Sequence, residues 1–180
     1  MRKHLLGAAA LASILALCAA PAASAGPAST RLHGWAALAP LGGVPDPTQL
    51  LTLGVAAHGG RGHATIQHVF ERGTDRQFTA RVEVRVDCLT ETAGTVVLTG
   101  TADSVTYTAG PALEPVPPVA SGWHPEVAFA FRPDGRGGFR IAWTGIPRTV
   151  DAPPVAAPCR IPADTGQDLG AVRGGFTVRG

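Results

Sequence analysis

The side chains with the most chemical reach in this sequence are its histidines. His58 and His63 flank the glycine turn Gly59 to Gly62, and in a hairpin that spacing sets them roughly opposite each other, near enough for both imidazoles to reach one metal. A third ligand is missing. His68 is five residues beyond His63 and so falls on the other face of the same strand, while Glu71 and Asp75 lie further on, at the next turn. Two solvent-facing histidines beside a turn is the simpler reading. His58 and His63 therefore stand as metal candidates on spacing alone; no metal centre is expected and no cofactor is implied.

Nucleophilic chemistry has less to work with. Beyond residue 25 the chain has three serines, Ser29, Ser104 and Ser121, none in a Gly-x-Ser-x-Gly elbow. Carboxylate pairs for glycoside chemistry would have to come from Asp87 with Glu91 or Glu83 with Asp103. The first pair borders a turn, and Glu83 stands between Arg81 and Arg85 on what reads as a charged outer face, so both are read as surface charges. The glycine runs at 59–62 and 135–138 read as hairpin turns and not as phosphate loops, because no helical pattern follows either. Four residues remain as a candidate ligand-binding set: His68 as an inward-facing polar group, and Tyr107, Trp123 and His124 beside a Pro-rich loop.

The elements that position them are read from hydrophobic alternation. Phe78, Ala80, Val82, Val84, Val86 and Cys88 alternate with Thr79, Arg81, Glu83, Arg85 and Asp87, the period of a half-buried strand. The same alternation places the Cys88 sulfur inward with the valines. Thr95 to Val105 follows as its hairpin partner. A second hairpin runs through Val127, Phe129 and Phe131, turns at Pro133 to Gly138, and returns through Phe139, Ile141 and Trp143. A third joins Leu51, Leu53 and Val55 to Ala64, Ile66, His68 and Phe70. Terminal strands at 31–38 and 172–179 could pair and close the sheet. About eight strands in consecutive hairpins predict a single all-β domain, an antiparallel β-barrel or sandwich; alternation cannot choose between closure and two stacked sheets. Pro-rich stretches near 109–125 and 147–162 are expected to be extended loops.

Compartment follows from the first 25 residues. Arg2 and Lys3, an apolar stretch from Leu5 to Ala20 and the triplet Ala23-Ser24-Ala25 have the order of a secretory signal peptide. That run is too short and Ala-rich to span a bilayer, and no membrane span is expected. Lipid attachment at Cys18 is the lesser alternative, since Leu17 is bulky where such sites want a small residue. Removal of the leader leaves one cysteine pair, Cys88 and Cys159, in an oxidising compartment, which predicts a disulfide. It also changes the charge: 15 Lys and Arg against 13 Asp and Glu becomes 13 against 13. A net-neutral domain lacks the cationic excess of a nucleic-acid binder, and that class is set aside.

The run from Gly62 to Val105, with its alternating strand ending in Val86-Asp87-Cys88-Leu89 and the following Val96-Val97-Leu98-Thr99-Gly100, resembles secreted actinobacterial β-proteins of unassigned function, some of them labelled repetin. The resemblance implies an exported β-domain and brings no activity, cofactor or catalytic residue. An Arg, Ala, Gly and Pro bias with no lysine after Lys3 suits a high-GC genome. Two function classes follow: a non-catalytic binding or structural module of the cell exterior, holding a small molecule, peptide or glycan, or, as the alternative, an enzyme with its site inside or at the rim of a barrel. A buried ionisable cluster in a cavity would favour the enzyme.

Overall fold

A computed structural model describes residues 29–40, 45–114, 119, 122–144, 159–160 and 167–180 of the 180-residue chain. Eight strands follow in order: β1 (Arg31–Pro40), β2 (Leu50–His58), β3 (Arg61–Phe70), β4 (Phe78–Thr92), β5 (Thr95–Ala109), β6 (Glu126–Pro133), β7 (Phe139–Trp143) and β8 (Gln167–Arg179). Each pairs antiparallel with the next, and β8 returns to β1, closing a barrel. Closure resolves the choice between barrel and sandwich, and leaves no helix among the described residues. The terminal strands are the closing pair, with Arg31 opposite Arg179 and Leu32 opposite Val178.

An up-and-down barrel with eight strands has two unlike ends. Tight turns at Gly59-Gly60, Ala93-Gly94 and 134–138 form one end. Both residues of the first have positive φ, 54° and 77°, the two-residue turn whose twist matches the flanking strands and which glycine adopts without cost. Asp134 organises the third by accepting from the backbone N–H groups of Arg136 and Gly138, which hold its carboxyl below the usual range. The other strand ends, Pro40 with Leu50, Phe70 with Phe78, Ala109 with Glu126 and Trp143 with Gln167, where the sequence leaves longer connections, lie at the opposite end; most of the Pro-rich stretches 109–125 and 147–162 falls outside the described residues.

The interior is one apolar cluster. Leu32, Leu53, Val84, Val96, Leu98, Val127, Phe129, Phe131 and Ile141 are essentially closed to solvent. The aromatic hairpin is the centre of this packing, with Phe131 against Phe129, Phe139 and the Phe176 ring of β8, the last at 5.1 Å. Its alternate residues Ala128, Ala130 and Ala142 are buried as well, so this wall is covered on both faces, unlike the half-exposed strand that alternation alone describes.

Two bulges break the expected alternation, and both move residues that matter. In β4, Val86 pairs with Gly100 but Cys88 with Thr99, so Asp87 is the extra residue. Leu89, not Cys88, then joins the interior cluster. This corrects the inward placement of the Cys88 sulfur: a one-residue insertion turns every later side chain to the opposite face. The disulfide to Cys159 does form, with Cα atoms 5.4 Å apart across 71 residues of sequence, but it holds Cys159 on the outside of the barrel. Thr99, buried on that outer face, donates its hydroxyl to Asp87 (2.7 Å) and accepts from the Cys159 N–H (3.2 Å). In β5, Glu83 pairs with Ser104 and Val84 with Ala102, leaving Asp103 as the extra residue. Inward positions run Val96, Leu98, Ala102 before it and Val105, Tyr107 after it.

Candidate functional site

The Asp103 bulge extends β5 to Ala109, past the Val105 end that the sequence suggests, and points Tyr107 into the barrel. There it meets a cross-strand row. His68 is opposite Ala80, and Ala80 is opposite Tyr107. Neighbouring strands are about 4.8 Å apart, so imidazole and phenol are carried on backbones roughly 10 Å apart with only a methyl group between them. The small side chain at Ala80 therefore leaves room. A cavity of about 130 Å³ occupies the space, floored by Ile66, Val82 and Val105 and rimmed by Phe70 and Phe78. Trp123, from the connection before β6, and Trp143, from the end of β7, complete the wall.

Aromatic rings dominate this mouth. His68 lies 3.7 Å from Phe70 by ring centroids, Phe70 is 6.0 Å from Phe78, and Phe78 stacks on Tyr107 at 5.5 Å. Trp143 stacks on Phe129 at 6.0 Å, tying the cavity wall to the solid core below. A second recess of about 210 Å³ adjoins the first, lined by Leu38, Leu51, Leu169 and the 45–50 connection. His68 belongs to both linings and stands as their partition. Its Nε2–H donates to Gln49 Oε1 at 3.2 Å. Burial among these rings lowers the His68 pKa, because an imidazolium there gives up water without gaining a carboxylate.

Three of the four candidate residues thus meet at one place and the fourth does not. Trp123 is buried in the cavity wall, whereas His124, the next residue along the chain, is turned outward with its Nδ1 donating to the Ala102 carbonyl at 3.0 Å. Phe70, Phe78, Ala80 and Trp143 belong to the site and were not singled out by the sequence reading. Their signal was present as parity: each shares the inward phase of its strand at the long-loop end.

The metal candidates are separated by register. The two-residue turn puts Arg61 opposite His58, so His63 faces Ala56 instead of His58. His58 hydrogen-bonds to Ser29 Oγ at 2.9 Å. Among the described residues no group of three or more His, Cys, Asp or Glu is placed to hold a metal ion. Of the carboxylates considered for glycoside chemistry, Glu83, Asp87 and Asp103 are engaged outside the barrel. Glu83 accepts from Thr65 (2.7 Å) and pairs with Arg81 (2.8 Å), while Asp103 pairs with Arg85 (3.4 Å). Partial burial raises the Glu83 pKa, but the Thr65 hydroxyl and Arg81 outweigh it and leave the group more acidic than usual. No carboxylate, thiol, serine or threonine lines the cavity among the described residues.

Comparison with known proteins found no matching family model, no matching curated protein and no matching solved structure.

Proposed function

We propose that this protein is an exported, non-catalytic binding module that holds a small, largely apolar ligand of about one ring in the cavity at its long-loop end. The observation that carries this reading is the gap at Ala80, between His68 and Tyr107, at the mouth of a barrel whose opposite end is filled with side chains. Eight-stranded barrels have just enough interior to be packed solid or to keep one small ligand. At about 130 Å³ the cavity is close to the 150 Å³ engineered cavity that stays dry and takes up benzene, which sets the ligand's size. The rings of Phe70, Phe78, Trp123 and Trp143 offer apolar and edge-to-face contact, and His68 and Tyr107 supply the two polar tips that orient a guest. A lining with one imidazole, one phenol and no carboxylate supports binding over acid–base catalysis.

Export rests on the first 25 residues, and the Cys88–Cys159 disulfide is compatible with an extracellular location. N-terminal sequencing of protein recovered from the medium of a secreting host is expected to begin at Gly26; retention of the leader or a lipidated Cys18 would overturn that part. For binding, benzyl alcohol and cyclohexanol are titrated by calorimetry and thermal unfolding. The expected result is saturable binding that raises the unfolding free energy by about 2.7 kcal/mol at a hundred times Kd, lost in Ala80→Phe. Absence of heat and of any Tm shift, or an unchanged response in Ala80→Phe, would overturn the cavity as a binding site.

A further inference from the structure

The barrel closes unevenly. β8 pairs with β1 along its length, from Leu169 to Arg179, yet it pairs with β7 only at Asp168, Leu169 and Gly170. From Ala171 to Arg179 the edge of β8 that faces β7 has neither a ladder partner nor another backbone hydrogen bond among the described residues. The interior stays sealed behind this seam because Phe176 reaches Phe131, which in turn packs on Phe139. Outside those rings a groove of about 370 Å³ opens, with Gly137, Gly138, Phe139 and Arg140 on one bank and Gly170, Ala171, Gly174, Gly175 and Phe176 on the other.

An exposed strand edge is a template for another strand, and unpaired backbone groups supply the affinity when an extended peptide adds to it. Charge decides which peptide. The strand arginines Arg81, Arg85, Arg132 and Arg140 are ion-paired, whereas Arg173 and Arg179 of β8, like Arg31 and Arg61, have no carboxylate partner among the described residues. Arg31 stands beside Arg179 across β1, and Arg136 lies on the opposite bank. Asp134, the carboxylate in the groove lining, is already occupied by the N–H groups of Arg136 and Gly138. A second copy of β8 fits poorly, since antiparallel pairing centred on Phe176 sets Arg173 against Arg179.

We propose that the β8 edge between Ala171 and Arg179 receives an extended acidic peptide by strand addition, with its carboxylates facing Arg173 and Arg179 and its alternate side chains turned toward the Phe139 and Phe176 groove. This seam lies toward the tight-turn end, so it is separate from the ring cavity and stands or falls independently of it.

The test is amide hydrogen exchange by NMR on the full chain, alone and with a nonapeptide alternating Glu and Val. In the free protein every second amide from Ala171 to Arg179 is expected to exchange at least a hundredfold faster than its neighbours. The peptide is expected to slow those amides tenfold or more, while a peptide N-methylated at alternate residues and an Arg-Val peptide leave them unchanged. The double variant R173E/R179E is expected to reverse the preference in favour of the Arg-Val peptide. Uniform protection along β8 without peptide, equal binding of the N-methylated peptide, or dimerisation through β8 in sedimentation equilibrium would each overturn the proposal.

Discussion

The two ends of this barrel use the same strands for opposite purposes. Toward the tight turns the interior is filled: Phe129, Phe131, Leu98, Val96 and Ile141 touch one another with almost no solvent exposure. Toward the long loops the inward positions become rings and one alanine, and packing gives way to a cavity. Polar satisfaction differs in the same direction. The two buried side-chain atoms without a hydrogen-bond partner among the described residues, Glu126 Oε2 and Trp143 Nε1, sit at the start of β6 and the end of β7, both at the long-loop end. Stability is concentrated at one end, and the other has the incomplete packing that a ligand can use.

Substitutions should separate the ends clearly. Phe131→Ala, in the filled half, is expected to cost about 3–5 kcal/mol in denaturant unfolding, the range for deleting a fully enclosed ring. Phe70→Ala, at the half-exposed rim, is expected to cost no more than about 1–2 kcal/mol. Equal losses would show that the mouth is packed like the core. Replacing both Cys88 and Cys159 with alanine should lower stability by roughly 4 kcal/mol before any strain is deducted, because the bridge closes a loop of about 70 residues. That bridge lies on the outer face, so the pair of changes should leave benzyl alcohol affinity within about twofold under conditions where the protein stays folded; a larger change would place the clip in the wall of the cavity.

A smaller effect is expected from filling the gap. Ala80→Leu should raise stability by about 0.5–2 kcal/mol while abolishing binding of the ring-sized probes; destabilisation would mean that the space is already as small as its rings allow. The smallest effect concerns protons. The His68 pKa is lower folded than unfolded, because burial disfavours the imidazolium, so the unfolded chain binds the extra proton first. The His68 contribution is thus fully present above the ordinary histidine range and is lost as pH falls through about 6.5 toward the folded value. His68→Gln should flatten that part of the stability profile measured from pH 7.5 to 5, and an unchanged slope would assign it to another group.

Much of this was legible before any tertiary information. Alternation alone marks out β4, the aromatic hairpin and the inward phase of His68, since a strand's two-residue period leaves little freedom once one face is apolar. Even the bulges left a trace: Ala102-Asp103-Ser104-Val105 and Val86-Asp87-Cys88-Leu89 each interpose two residues where alternation allows one. Read with that shift, Tyr107 turns inward and Cys88 outward. Register was harder. His58 and His63 look opposed when the whole glycine run counts as the turn, but only Gly59 and Gly60 form it, and the ladder resumes at Arg61.

The sequence by itself determined the strands and, up to the two bulges, their inward faces, because each depends on neighbours in the chain. Tertiary structure decided the closure of β8 on β1, the meeting of His68, Ala80, Tyr107, Trp123 and Trp143, and the shortness of the β7–β8 ladder. Those outcomes depend on distances across the barrel, which are fixed only when all eight strands have taken their places.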